Sequence, residues 1–125
     1  MQVYCSLPLY SAQPRLLKRL ANRDIHTVFS LYQLKDVEKL TKLLDLSQVA
    51  PNTVVVRIGY SFFNSNPSLA SKLIGIGIRN FLFTDWLGSQ LSAVSLDSNF
   101  HDLSIGFEIL NSSEIPDLLE SGTLF

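Results

Sequence analysis

The stretch that most constrains the fold is Val54-Val55-Val56, a nearly unbroken apolar run inside Thr53–Gly59. Three consecutive β-branched side chains favour extended backbone. Strict alternation would mark a strand with one wet face. A continuous run instead marks a strand covered on both faces, as in a parallel sheet lying between helices. Thr53–Gly59 is therefore expected to be the central strand, and the rest of the chain has to supply neighbours on either side of it.

The flanking sequence does so in a regular alternation. Gln2–Leu7 reads as a strand stopped by Pro8, which cannot donate to a ladder. Ile25–Tyr32 and Asn80–Thr84 are rich in β-branched and aromatic residues and read as two more strands. Between them lie segments of helical period. Pro14 opens Arg15–Asn22, which gathers Leu16, Leu17, Leu20 and Ala21 on one face and leaves Arg15, Lys18 and Arg19 elsewhere. In Leu34–Leu46 the residues Val37, Leu40, Leu43 and Leu44 recur at helical spacing, Glu38 precedes Lys42 by one turn, and Pro51-Asn52 ends the connection. Asn66-Pro67, a capping side chain before a first-turn proline, starts a helix lined by Leu69, Ala70, Leu73 and Ile74 and closed by Gly75 and Gly77.

Past Thr84 the pattern weakens. Gln90–Leu96 and Leu103–Leu110 read as the arms of an antiparallel hairpin, in preference to a helix and a strand, and Glu114–Ser121 as a closing helix that ends at Gly122. Together these elements predict one α/β domain over residues 1–125. The expected architecture is a three-layer α/β/α sandwich, flavodoxin-like or Rossmann-like. Its sheet should be mostly parallel with right-handed crossovers, with the antiparallel hairpin as an option at the C-terminal end.

Charge divides the chain. All ten lysines and arginines lie at or before Arg79, giving residues 1–79 a balance of +6, ten cations against four acids. Residues 80–125 hold the other seven acids and no cation, a balance of −7. Opposed fields of this kind suit a specific partner surface or a second copy of the chain. Charged residues make up only 17% of the sequence against 46% hydrophobic, so some apolar surface is also expected to be covered by a partner. Nucleic acid is disfavoured by the isoelectric point near 6.0 and by the lack of basic loops with interleaved aromatics. No run approaches the ~18 apolar residues of a membrane span, and no signal peptide is evident. The lone Cys5 lies in an apolar stretch and fits a reducing compartment, so a cytoplasmic protein is expected.

Parallel sheets bind ligands beyond the carboxyl ends of their strands. Those ends include Ser6-Leu7-Pro8, Tyr32-Gln33 and the long connection Gly59–Asn66, a polar and almost uncharged rim. A small-molecule site would draw on Ser61, Asn64, Asn66, Thr84 and Asp85, with Tyr60, Phe62 and Phe63 beside them. The competing reading is an ordinary connection whose aromatics pack and whose Asn66 caps the next helix. Phosphoryl acceptance with Mg²⁺ would need acids ending the first and third strands, where Ser6 and Gly59 stand. A phosphate-binding G-x-x-x-x-G-K-[ST] loop is absent, and Gly75-Ile76-Gly77 sits at a helix end, the wrong context for a dinucleotide.

His101 with Asp97 and Asp102 reads as a solvated turn, because a metal or acid–base site would need a third converging group. Neither His26 nor His101 supplies Cys5 with a recognisable catalytic partner. Arg57, among valines and Ile58, is expected to pair with an acid such as Asp85. No catalytic residue, metal or cofactor is therefore expected. The leading expectation is a non-enzymatic interaction or regulatory module that docks a protein, or itself, through the basic helix with Arg15, Lys18, Arg19 and Arg23, the acidic C-terminal region, or both. The alternative is a small α/β enzyme or ligand-binding domain with its site at the strand ends.

Overall fold

The structure, a computed structural model, describes residues 2–84 and 103–108. Five strands form one sheet: β1 (Val3–Ser6), β2 (Ile25–Leu31), β3 (Val54–Gly59), β4 (Asn80–Thr84) and β5 (Ser104–Phe107). Four helices connect the first four: α1 (Pro14–Asn22) after β1, α2 (Lys35–Ser47) after β2, then α3 (Tyr60–Ser65) and α4 (Pro67–Gly75) after β3. Every adjacent pair of strands is parallel, and β3 is the middle one. The α/β class, the parallel sheet and the interior place of β3 are as the sequence indicates.

The order of the strands is β1-β2-β3-β4-β5. Flavodoxin-like and Rossmann-like sheets reverse direction at a switch point and so receive helices on both faces. Consecutive order with right-handed crossovers places successive helices on the same face. In agreement, α1 packs on α2 and α2 on α4. A second helix layer is not among the described elements. Of the C-terminal expectations, Gln90–Leu96 and Glu114–Ser121 lie outside the described residues. The strand within Leu103–Leu110 is present as β5, but its partner is β4 and the pairing is parallel.

One hydrophobic cluster joins the helices to the sheet. Thr27, Phe29 and Leu31 of β2 stand in register with Val54, Val56 and Ile58 of β3, and Val56 and Ile58 with Phe81 and Phe83 of β4. All eight are at most 1% exposed. Onto this face come Leu17 from α1, Leu40, Leu43 and Leu44 from α2, and Leu69 and Leu73 from α4, the residues whose helical spacing marked them as core. The opposite face holds the alternate residues. Val55 is buried there but belongs to no helix-backed cluster, while Val28, Arg57 and Leu82 are half-buried. The continuous Val54-Val55-Val56 run thus serves two faces of unequal cover.

Among the described residues, Gly77 is the glycine with a positive φ. Its φ is +101°, and a Cβ placed there would stand 2.9 Å from Pro51 Cγ. It lets the chain leave α4 tightly, with Ile78 N–H donating to Leu73 C=O before β4 begins.

Two stability predictions follow from this packing. Val56→Asp places an unpaired carboxylate in the helix-covered face at a cost of several kcal/mol, against a usual total stability of ~5–15 kcal/mol. Its thermal melt should lose cooperativity, as monitored by circular dichroism. Gly77→Ala should be milder, about 1–3 kcal/mol destabilising through strain and the close approach to Pro51, and visible as a lowered midpoint in urea.

Candidate functional site

The carboxyl ends of β1 and β2 form the rim expected for a ligand, and there the chain forms an open, solvent-facing cavity of about 740 Å³. Its described lining runs along Ser6–Ser11 after β1, then Ser30, Tyr32, Gln33 and Asp36 at the end of β2 and the start of α2. Asp36 organises it. This carboxylate is 2% exposed and accepts three hydrogen bonds, from the backbone N–H groups of Tyr32 (2.8 Å) and Gln33 (3.1 Å) and from the Tyr10 hydroxyl. The two N–H groups precede α2, so Asp36 reaches back over the helix start as a capping-box acid does. The tyrosine ties the β1–α1 connection to α2.

Because the Tyr10 hydroxyl donates a hydrogen bond to the Asp36 carboxylate, Tyr10 is held above the ordinary tyrosine pKa of 10.0, with desolvation and the charges of Asp36 and Glu38 adding in the same direction. No cation is among the described residues lining this cavity. Its remaining polar groups are hydroxyls and an amide, which both donate and accept.

A charged pair stands beside it on the open face of the sheet. Arg57 on β3 reaches across β4 to Glu108, Nη2 to Oε2 2.6 Å, and its Nη1 lies 3.5 Å from Ser30 Oγ. Leu82 is the register neighbour of Arg57, and Gly106 is that of Leu82. Gly106 has no side chain to obstruct the crossing. The partner is therefore Glu108, just past β5, where Asp85 had been expected; Asp85 itself lies outside the described residues. With side chains about one third exposed, the pair is worth under roughly 1 kcal/mol and chiefly fixes β5 relative to β3.

The connection after β3 differs from the expected loop. Gly59 is the N-cap of α3, which turns Tyr60 and Phe63 into the core. Their rings meet Phe83 at 5.4 and 5.0 Å between centroids, both edge-on. Asn66 does not cap α4 through its side chain. Its Nδ2 donates back to the Phe62 carbonyl at 2.8 Å, serving the end of α3. Ser61 and Asn64 are exposed on α3, and Thr84 is half-buried at the end of β4. None of the four lines the cavity at β1 and β2. Asp97, His101 and Asp102 lie outside the described residues. Among the described residues, no three His, Cys, Asp or Glu side chains group as metal ligands, and no helix is long and apolar enough to cross a membrane.

The cations proposed for docking are all exposed on α1 and its C-cap. The side chains of Arg15, Lys18, Arg19 and Arg23 make no hydrogen bond or ion pair among the described residues, and Leu17 holds the opposite side of the helix in the core. A cation near the helix C-terminus gains from the macrodipole, which accounts for Arg19 and Arg23. Arg15 gains nothing in this way. It stands in a first turn that has no acid, against the dipole.

No family model matches the sequence, and no curated protein matches it. Among solved structures the chain is similar to the PaMucR phosphodiesterase, determined as a c-di-GMP complex, with a TM-score of 0.52 and 10% identity. The match covers 87% of this chain and 62% of that one, so the chain spans less than two thirds of that length. At this identity the likeness concerns the fold.

The Tyr10–Asp36 contact can be tested by titration. Tyr10 should deprotonate above the ordinary tyrosine range, and Asp36→Asn should move it back down by removing the negative acceptor. A pKa raised in the folded state stabilises the fold below the unfolded value and ceases to do so as pH rises through the folded value. The contribution should therefore be present at neutral pH and disappear in alkali. NMR of ring-labelled tyrosine in both proteins measures the shift.

Proposed function

We propose that this domain is a non-enzymatic binding module that docks an acidic protein surface through α1. The observation that carries the reading is the set of four exposed cations at Arg15, Lys18, Arg19 and Arg23 with no acid to meet them among the described residues. Arg15 stands against the helix dipole, so local helix energetics do not account for the whole set. The acidic partner is a separate regulatory protein or a second copy of this chain, whose residues 80–125 hold seven acids and no cation. Homo-oligomerisation belongs to the same proposal and needs the same helix.

The c-di-GMP of the structural neighbour is not carried over. A cyclic dinucleotide brings two phosphates, which are ordinarily met by arginines, lysines or helix N-termini. The cavity at β1 and β2 offers no cation among its described lining and one buried carboxylate.

Reversing Arg15, Lys18 and Arg19 to Glu should leave the melting temperature nearly unchanged, since all three are exposed. It should weaken association by about 1.4–2.8 kcal/mol, roughly ten- to a hundredfold. Sedimentation velocity at low and moderate salt tests the second-copy case. Capture from native lysate, wild type against the triple variant, tests the separate partner. Association of either kind that is indifferent to both the charges and salt removes α1 as the docking element.

A further inference from the structure

The cavity at the ends of β1 and β2 lies apart from the exposed face of α1, and its chemistry restricts what can occupy it. We infer that it binds a neutral, hydroxyl-rich ligand of the saccharide or cyclic polyol class, seated between Tyr10 and Tyr32.

Three observations converge on that class. The first is charge. No Lys, Arg or His is among the described lining, and Arg57, which reaches the lining residue Ser30 at 3.5 Å, is already paired with Glu108. The one carboxylate, Asp36, is 2% exposed and already accepts from three donors. A carboxylate offers about four acceptor positions, so little remains to hold a cation.

The second observation is the remaining polar inventory. Ser6, Ser11, Ser30 and Gln33 present three hydroxyls and an amide at one concavity. Such groups donate and accept in turn, as ligand hydroxyls do.

The third is the pair of aromatic side chains. Tyr32 is 74% and Tyr10 is 55% exposed, an unusual cost in apolar surface for two residues that line the same cavity. Tyr10 is held in place by Asp36, so at least one ring is preorganised. A saccharide ring has an apolar C–H face and a polar rim, which suits a tyrosine face bordered by hydroxyls. The volume of about 740 Å³ falls in the range of small-molecule sites, roughly 300–1,000 Å³.

The test uses the full chain and a fixed panel, with binding read by amide chemical-shift changes. Glucose, maltotriose, cellotriose and myo-inositol are the neutral probes; glucose 6-phosphate and glucosamine are the charged ones. The expected result is that a neutral probe saturates shifts at Tyr10, Tyr32 and Gln33 with a dissociation constant of ~10 mM or tighter. Tyr32→Ala should weaken it about tenfold, while Tyr32→Phe, which keeps the ring, should bind nearly as the wild type. Both substitutions are at an exposed site, and their melting curves confirm folding. Charge reversal on α1 should leave this binding unchanged, which separates it from protein docking. The inference is overturned if no neutral probe shifts these residues at that concentration, if a charged probe binds more tightly than the best neutral one, or if Tyr32→Ala binds as the wild type does.

Discussion

Burial of β3 is the constraint on which the rest of the fold depends. Val54, Val56 and Ile58 occupy the centre of the helix-covered face, with Phe29 and Leu31 on one side and Phe81 and Phe83 on the other. A strand so placed must have a neighbour along each edge, or its backbone groups would be left without partners in an apolar layer. That requirement brings β2 and β4 to it. Their inward residues then offer the floor that Leu17, Leu40, Leu43, Leu69 and Leu73 cover. The helices gain most of their stability from this contact, since α1 and α4 are only nine residues long and would be marginal alone.

The consecutive strand order follows from how the chain leaves β3. Right-handed returns, the rule between parallel strands, set the next strand one place further along and the next helix beside the last. All the described helices can then share one core, and the other face of the sheet is left to a different chemistry. Arg57, Ser30 and Glu108 stand on that face at the carboxyl half of the strands, close to the cavity that β1 and β2 leave open. The position agrees with the general placement of sites in parallel sheets. The cavity owes its shape to Asp36, which fastens the Tyr10 connection while satisfying the N–H groups ahead of α2.

Much of the candidate site could be read in the sequence, though not its centre. The strand ends Ser6-Leu7-Pro8 and Tyr32-Gln33 were legible as rim because the strands themselves were legible. Asp36 was missed, although an acid three residues after Gln33 at a helix start is the spacing that lets a carboxylate reach back. The connection after β3 drew attention for its aromatics. Those aromatics were a core signal: Tyr60 and Phe63 fall at helical spacing, and α3 turns both onto Phe83.

The amino-acid sequence by itself determined β1 to β4, α1, α2 and α4, the parallel sheet and the central place of β3, because periodicity and β-branching act within a few residues. It also determined that α1 would carry cations with no acid inside the helix to meet them. Tertiary structure alone decided the rest. The strand order, the choice of Glu108 as the partner of Arg57, and the meeting of Tyr10 with Asp36 join residues 22 to 51 positions apart. Local propensity has no information at that range. Such contacts are selected by which packing of the whole chain buries β3 and leaves the fewest polar groups unpaired.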